Sequence, residues 1–509
     1  MNDSKQRKLG VALSYVSIIA STLVQLLYTP LLISKLGQSE YGLYSLIASI
    51  IGYLTVLDLG FGNAIVVYTA KYRAQKKYDE EKKLHGMFKL IFNILSIIAM
   101  FLGLILYLNV ENLFGTTMTT IELSKAKIMM IILIFNLGVT FSFNIYTSII
   151  SAYEKFIFKK IMSILNTLLK PAIMLPLLFM GYKSIAMNVV ITIVNIIILL
   201  SNYIYCKKKL NIDIKFMGFD KELFKTIFEY SFFIFLGVIV DKVNWSVDQF
   251  VLGAVSGVIE VSLYSTASTL NQLFISLSTA ISGVFLPKMS KLVANNISSE
   301  KLTEEFIKIG RIQYYIIFLM ASGLVLFGKQ FIRLWVGPEF DKSYYVAIIL
   351  ILPLCFELIQ NLALSIMQAM NKYKFRTITT AIMSIFNILL SVFLAKKYGA
   401  IGSAVGTGIA LIVVNLIIMN IYYHKVIKIN VIKFWKTILK MTVPNIIPIS
   451  IILILMKYTN FTGIKGFITY GTIYTIIYSI TMYNFSMNNY EKNIITNLFK
   501  LVKRKLKVN

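Results

Sequence analysis

Fourteen times along this chain a run of about 20 or more mostly apolar residues recurs, each long enough to cross a hydrocarbon core about 30 Å thick as a helix. The runs fall near 9–33, 41–68, 86–109, 128–151, 158–181, 184–206, 224–252, 259–286, 309–328, 343–369, 376–395, 400–423, 434–456 and 464–485. Inside a bilayer no water is present to satisfy backbone N–H and C=O groups, so runs of this length are confined to helices. The expected fold is an all-α integral membrane protein with 14 transmembrane helices, here called spans 1–14 in chain order. Composition agrees, because only 15% of the 509 residues are charged and 57% are hydrophobic, against about 25% charged in soluble domains. Lys5, Arg7 and Lys8 precede the first run in the manner of a signal peptide. That run is too long for a signal h-region and no small-residue cleavage site follows, so it is read as span 1.

The basic residues set the orientation. With the N-terminus on the cytoplasmic side, 38 of the 51 Lys and Arg fall on cytoplasmic segments and 11 on outer ones. The remaining two, Lys170 and Lys242, lie within spans. A bias of this size supports fourteen spans with both termini cytoplasmic. It also accounts for the net charge of +28 as a coat facing anionic lipid, with no need for nucleic acid. The connecting segments are too short for a soluble domain, and neither GxxxxGKS/T nor HExxH occurs. Two histidines cannot form a histidine-rich metal site, and Cys206 and Cys355, within or beside apolar runs, give no disulfide framework. No cofactor, no metal and no enzymatic activity is expected.

The chain repeats itself. GQSEYGLYS (37–45) lies over GVIEVSLYS (257–265), with Gly37/Gly257, Glu40/Glu260 and the Leu-Tyr-Ser triplet identical. SIISAYEKFIFK (148–159) lies over SIMQAMNKYKFR (365–376) at nearly the same offset, and a weaker match sets Gly181 and Ala186 over Gly399 and Ala404. The offset spans six helices, an even number, so the two copies share one orientation across the membrane. The expected domains are an N-lobe of spans 1–6 (1–210), a C-lobe of spans 7–12 (211–425), and spans 13 and 14 with a basic tail (426–509). Transporters commonly place cargo between two such lobes.

Polar groups inside the spans are costly there and mark sites by default. Asp58 sits about 17 residues, or roughly 25 Å, into span 2, followed by Gly60, Gly62 and Asn63 at i+5. Two readings stand: it lines a wet cavity or binds a coupling cation, or it is paired at a helix interface or caps a break in the span. In span 7, Asp241, Asn244, Trp245 and Asp248 fall on one helical face, with Lys242, Ser246 and Gln249 on the adjoining strip. Lys242 either serves cargo or pairs with a carboxylate, and Asp248 either faces the cavity or sits at the outer interface. Span 5 has Asn166 and Lys170 one turn apart, then Pro171; Lys170 is too deep to snorkel easily. Span 10 carries a stripe of Glu357, Gln360, Asn361, Ser365 and Gln368, with Pro353 upstream. Asn136, Asn144, Asn271 and Gln272 are read as interhelical hydrogen-bonding residues. Such a mixed lining suits a sugar, and an embedded lysine suits a phosphate.

The stretch TPLLISKLGQSEYGLYSLIASIIGYLTVLDLGFGNAIVVYTAKYRA (29–74) resembles the N-terminal signature of bacterial polysaccharide-repeat-unit flippases, within the multidrug/oligosaccharidyl-lipid/polysaccharide exporter superfamily. VDQFVLG (247–253) and VSLYSTAS (261–268) resemble the second-lobe counterpart. The likeness covers nearly the whole chain through span count, lobe order and loop lengths. It implies a MATE-like, two-lobed fold in a bacterial inner membrane. It implies translocation of an undecaprenyl-pyrophosphate-linked oligosaccharide to the outer leaflet by alternating access, with H+ or Na+ as coupling ion. A polysaccharide polymerase and glycosyltransferases are the implied partners. Related lipid-linked flippases meet the pyrophosphate with cationic cavity side chains. Spans 1 and 2 have no mid-membrane Arg or Lys here, so Lys170 and Lys242 are the substitutes, with Arg311 near the cytoplasmic mouth of span 9. The substrate-binding candidates are thus Lys170, Lys242, Asn166, Trp245 and Arg311. The cavity or coupling candidates are Asp58, Asn63, Asp241, Asp248, Glu357, Gln360 and Asn361. The rival readings are a cation-coupled multidrug antiporter of the same superfamily, a membrane polysaccharide polymerase, and a non-transporting scaffold.

Overall fold

A computed structural model describes residues 3–282, 297–370, 372–459 and 463–506, with 285, 289, 291–293 and 295 between the first two stretches. No strand occurs among the described residues. The helices are α1 (Asp3–Leu36), α2 (Gln38–Leu54), α3 (Phe61–Ala74), α4 (Tyr78–Leu108), α5 (Thr120–Ala152), α6 (Phe156–Phe179), α7 (Ser184–Lys209), α8 (Lys221–Val255) and α9 (Val258–Ser282). They continue with α10 (Ser299–Val336), α11 (Asp341–Ile359), α12 (Leu362–Ala369), α13 (Tyr373–Leu411), α14 (Met419–Lys425), α15 (Val431–Thr442), α16 (Ile446–Tyr458), α17 (Gly463–Thr481) and α18 (Asn489–Leu506). Ten helical stretches among the described residues are long and apolar enough to cross a membrane. One of them, Tyr373–Lys425, has 53 residues, more than twice the length of about 20 that a crossing needs. Gly399 breaks it with φ 57° and ψ −136°, so α13 folds back on itself as two arms.

The apolar runs of spans 2 and 10 are broken. In span 2 the helix tightens into a 3-10 turn at Thr55–Asp58, after which Leu59 (φ 52°) and Gly60 (φ 73°) take the left-handed conformation and α3 starts. In span 10 the helix stops at Ile359 and resumes at Leu362. Elsewhere the ends are capped as polar side chains at helix starts dictate. Thr119 and Glu122 form a capping box on α5, and Asp220 caps α8 by accepting from the Leu223 N–H at 3.0 Å. That bond, with Lys83 3.2 Å away, holds the Asp220 carboxyl below the ordinary carboxylate range.

The chain forms two compact units. The first comprises 1–269 and 384–406. Its helices approach through small residues, the usual device where lipid offers no hydrophobic drive between helices. α4 and α5 exchange them: a Cβ on Gly103 would meet Ile134, and one on Gly138 would meet Met100 and Ser96. The Ser96 hydroxyl donates to the Gly138 carbonyl at 2.7 Å. α2 touches the start of α9 so closely that a Cβ on Gly42 would stand 1.9 Å from the Val258 carbonyl oxygen. The linker before α8 crosses α4 in the same way, with the Lys215 carbonyl against Gly86.

The sequence repeat reappears as geometry. Gly37 and Gly257 both have positive φ, 79° and 89°, ahead of α2 and α9. Three residues on, Glu40 accepts hydrogen bonds from the N–H and hydroxyl of Ser184 at the start of α7. Its counterpart Glu260 accepts from the N–H of Ala400, 2.7 Å away, at the start of the second arm of α13. Each of those starts follows a positive-φ glycine, Gly181 (90°) and Gly399 (57°). Glu40 additionally pairs with Lys125 of α5.

The second unit comprises 270–383 and 407–509. Its axis is α10, against which α11, α15 and α17 pack. Phe306 meets Phe434 with ring centres 4.6 Å apart, and Tyr314 stacks on Phe318 at 5.0 Å. The Tyr478 hydroxyl donates to the Tyr315 carbonyl at 2.8 Å, which ties α17 to α10. Cys206 and Cys355 are free and buried.

Candidate functional site

Asp58 stands at the break in span 2. Its carboxylate accepts from the Asn144 amide of α5 at 2.7 Å and from the Gly62 N–H in the first turn of α3. It therefore caps the restarted helix and ties it to α5, the second of the two readings given above. Asn63 does not share a face with it: the break cancels the helical spacing, and Asn63 is exposed. Asn144 acts as interhelical hydrogen-bonding residue, and so does Asn136, whose amide oxygen accepts from Asn195 of α7 at 2.6 Å. Asn271 and Gln272 do not: the Asn271 Oδ1 is buried with no partner among the described residues, and Gln272 is exposed.

The lysines within spans both belong to the first unit. Lys170 on α6 is half-buried, and Lys242 on α8 has its Nζ 3.8 Å from where a Cβ on Gly52 would stand. Neither has an ion-pair partner among the described residues. One turn before Lys170, the Asn166 Oδ1 is buried and has no partner among those residues either. The side chains of Asp241, Asn244 and Trp245 lie outside the described residues.

Asp248 is enclosed by its own unit. It is fully buried, accepting from the Tyr264 hydroxyl of α9 at 2.5 Å and from the Ser403 hydroxyl of α13 at 2.7 Å. Ser391 and Asn387, also buried, adjoin this cluster: Ser391 Oγ lies 3.0 Å from Asn387 Oδ1 and 3.3 Å from the Ser403 carbonyl. Tyr264, Asn387, Ser391 and Ser403 were absent from the sequence-based candidates. The LYS triplet of the repeat marks Tyr264 alone, since the two arms of α13 meet only through the Gly399 break.

The span 10 stripe is divided by its own break. Glu357, above it, accepts from Arg376 at 2.5 Å and from Asn415 at 2.8 Å. Asn415 reaches it from the π-helical turn Ile412–Ile418, whose wider pitch is frequent at functional positions. Arg376 is held in turn by the Tyr373 hydroxyl at 2.8 Å. Asn361 donates to Ser278 Oγ, 3.1 Å away, while both side-chain polar atoms of the buried Gln360 have no partner among the described residues. Ser365 is buried and Gln368 exposed, and the five are divided by the break at 360–361.

Arg311 is taken up elsewhere. Its Nε and Nη2 donate to the two oxygens of Glu491 at 2.5 and 2.7 Å, and Nη2 also reaches the Ser486 carbonyl at 2.7 Å. The second unit further contains an apolar cleft of about 600 Å³ between α10, α11 and α15, lined by Phe318, Cys355, Phe356, Trp435 and Ile438 among others.

These features define a class: multi-pass, all-helical membrane proteins with ionisable groups held inside their spans. The chain belongs to the polysaccharide biosynthesis protein family, whose model matches residues 9–293. It is 23% identical over 404 residues to a Shigella flexneri protein described as an O-antigen transporter, covering 76% of this chain and 90% of that one. It is 26% identical over 207 residues to the Staphylococcus aureus capsular polysaccharide biosynthesis protein CapF, covering 40% of this chain and 50% of that one. Among solved structures, the fold matches the inward closed conformation of the lipid II flippase MurJ with a TM-score of 0.73, at 21% identity, over 93% of this chain and 97% of that chain. An inward-facing MATE-family multidrug transporter matches with a TM-score of 0.62 at 14% identity, over 79% and 96%.

Proposed function

We propose that this protein is a flippase that moves a prenyl-pyrophosphate-linked oligosaccharide across a bacterial inner membrane by alternating access, for surface polysaccharide synthesis. In this reading its fourteen spans form two six-helix lobes, 1–210 and 211–425, followed by a two-span appendage, with both termini cytoplasmic. The glycine–glutamate device present in both halves supports the duplication. The observation that carries the function is the pair of span-borne lysines, Lys170 and Lys242, neither with an ion-pair partner among the described residues. A cation kept within a span without a carboxylate is costly, and an anionic cargo group offsets that cost at each cycle. Asn166, one turn before Lys170, serves the sugar, and Trp245 is assigned to it from the sequence alone. The apolar cleft of the second unit is given to the prenyl chain. Asp248, buried among hydroxyls, is the carboxylate given to H+ or Na+.

The test is complementation of a bacterium lacking its own flippase, scored by surface polysaccharide with membrane levels of protein measured in parallel. K170Q and K242Q should each abolish polysaccharide while the protein remains in the membrane. Full polysaccharide from both variants would remove the lysines from the mechanism. Loss of dye efflux by wild-type-expressing cells on D248N, with no polysaccharide phenotype, would favour the antiporter.

A further inference from the structure

The C-terminal helix α18 begins at an unusually elaborate anchor. Asn488 caps it by accepting from the Glu491 N–H at 3.0 Å, and Glu491 returns the bond to the Asn488 N–H at 2.9 Å. The same Glu491 carboxylate receives Arg311 in a two-pronged contact and the Tyr315 hydroxyl at 2.8 Å, and only 4% of the residue is exposed. The π-helical turn Met482–Ser486 just before it frees the Ser486 carbonyl, which Arg311 also takes. Nearby, Lys308 of α10 lies 3.8 Å from the centre of the Tyr490 ring. The beginning of α18 is therefore fixed to α10 by one multiply bonded carboxylate.

The sequence beyond this anchor has a definite pattern. Glu491 opens a helical stripe that continues with Ile495, Leu498, Val502 and Leu506, spaced by three and four residues. Asn493, Asn497, Lys500 and Arg504 fall on the opposite side, Lys503 lies on its flank, and Lys492 and Lys505 border the apolar stripe on either edge. After Glu491 the chain holds six Lys and Arg and no acidic residue. A helix with an apolar stripe, a cationic stripe and low mean hydropathy lies in a membrane surface instead of crossing it. The one acid on its apolar stripe is the one the anchor removes from view.

We propose that α18 is an in-plane contact for anionic phospholipid of the cytoplasmic leaflet, joined through the Arg311–Glu491 anchor to α10. The cationic stripe selects acidic headgroups, because such segments are drawn to the anionic inner surface. Lipid engagement by α18 thereby bears on the helix around which the second unit is packed.

The test uses the full chain in nanodiscs, with Cys206 and Cys355 replaced by Ala and a nitroxide placed by V502C or N497C. Accessibility to oxygen and to a water-soluble nickel chelate is compared in POPC discs and in POPC discs with roughly one-third POPG. With POPG, the label at 502 should be rich in oxygen and poor in nickel contact, and the label at 497 the reverse. That contrast should fall several-fold in pure POPC and on adding K500Q and K503Q. Nickel access at 502 equal to that at 497 in POPG discs would overturn the proposal. So would a contrast undiminished in POPC, or shielding of 502 from both reagents, which marks a protein-covered face. None of these readings depends on cargo, so the result stands apart from the flippase assignment.

Discussion

The break in span 2 offers the sharpest quantitative check. Asp58 supplies two acceptor bonds, to the Asn144 amide and the Gly62 N–H. Asp58→Ala deletes both and leaves two half-buried donors unpaired, at about 1–2 kcal/mol each, so a loss of about 3 kcal/mol is expected. Asp58→Asn keeps one carbonyl oxygen that can still cap Gly62 or meet Asn144, and removes only the charge, so about 1 kcal/mol should go. The comparison is made by thermal unfolding of purified protein in detergent, with Asn144→Ala as a third variant falling between the two. Polysaccharide complementation runs beside it: a capping role predicts that D58N retains transport. If D58N were as damaging as D58A in both assays, the ionised carboxylate itself would be required and the capping argument would fail. The backbone around it sharpens the test. Leu59 holds φ 52° and Gly60 φ 73°, a region that costs a side-chain-bearing residue about 1–2 kcal/mol. Gly60→Ala should therefore destabilise by about that much, and Leu59→Gly should be neutral or stabilising.

Three other outcomes follow from packing and pairing. Arg311→Gln leaves the nearly buried Glu491 uncompensated and should cost about 3–5 kcal/mol, whereas R311Q/E491Q together should recover part of that loss; a double variant no better than R311Q would mean the two side chains act separately. In the repeated device, Glu40→Gln removes the charge that meets Lys125 and weakens the contact with Ser184, so it should lower the unfolding temperature; a wild-type unfolding temperature would contradict this. Gly42→Ala sets a methyl 1.9 Å from a backbone oxygen, which no rotamer change relieves, so an overpacking cost of about 3 kcal/mol is expected and wild-type stability would show that α2 and α9 are not in contact.

Local periodicity made the helices legible, and the repeat made Gly37, Glu40, Gly257 and Glu260 legible before any coordinates. What stayed hidden depends on partners far along the chain. Arg311 reads as a free cation until Glu491, 180 residues away, is brought to it. For Asp248 the sequence leaves two readings open and does not show Tyr264 and Ser403, which close over it. The division of span 10 was hidden for a different reason: a stripe of polar residues at helical spacing presumes an unbroken helix, and Gln360–Asn361 is where that presumption lapses. The same holds for Asn63 after the left-handed pair Leu59–Gly60.

Gly37, Gly181, Gly257 and Gly399 all hold backbone angles that other residues resist, and two of them precede the same clasping glutamate. Matching stretches of one chain are free to differ wherever one apolar side chain does as well as another. Likeness then survives longest at corners whose geometry tolerates a single residue type. The faint self-similarity of this chain thus works as a worn survey of its corners, and a distant relative with scrambled spans should still be traceable by those four bends.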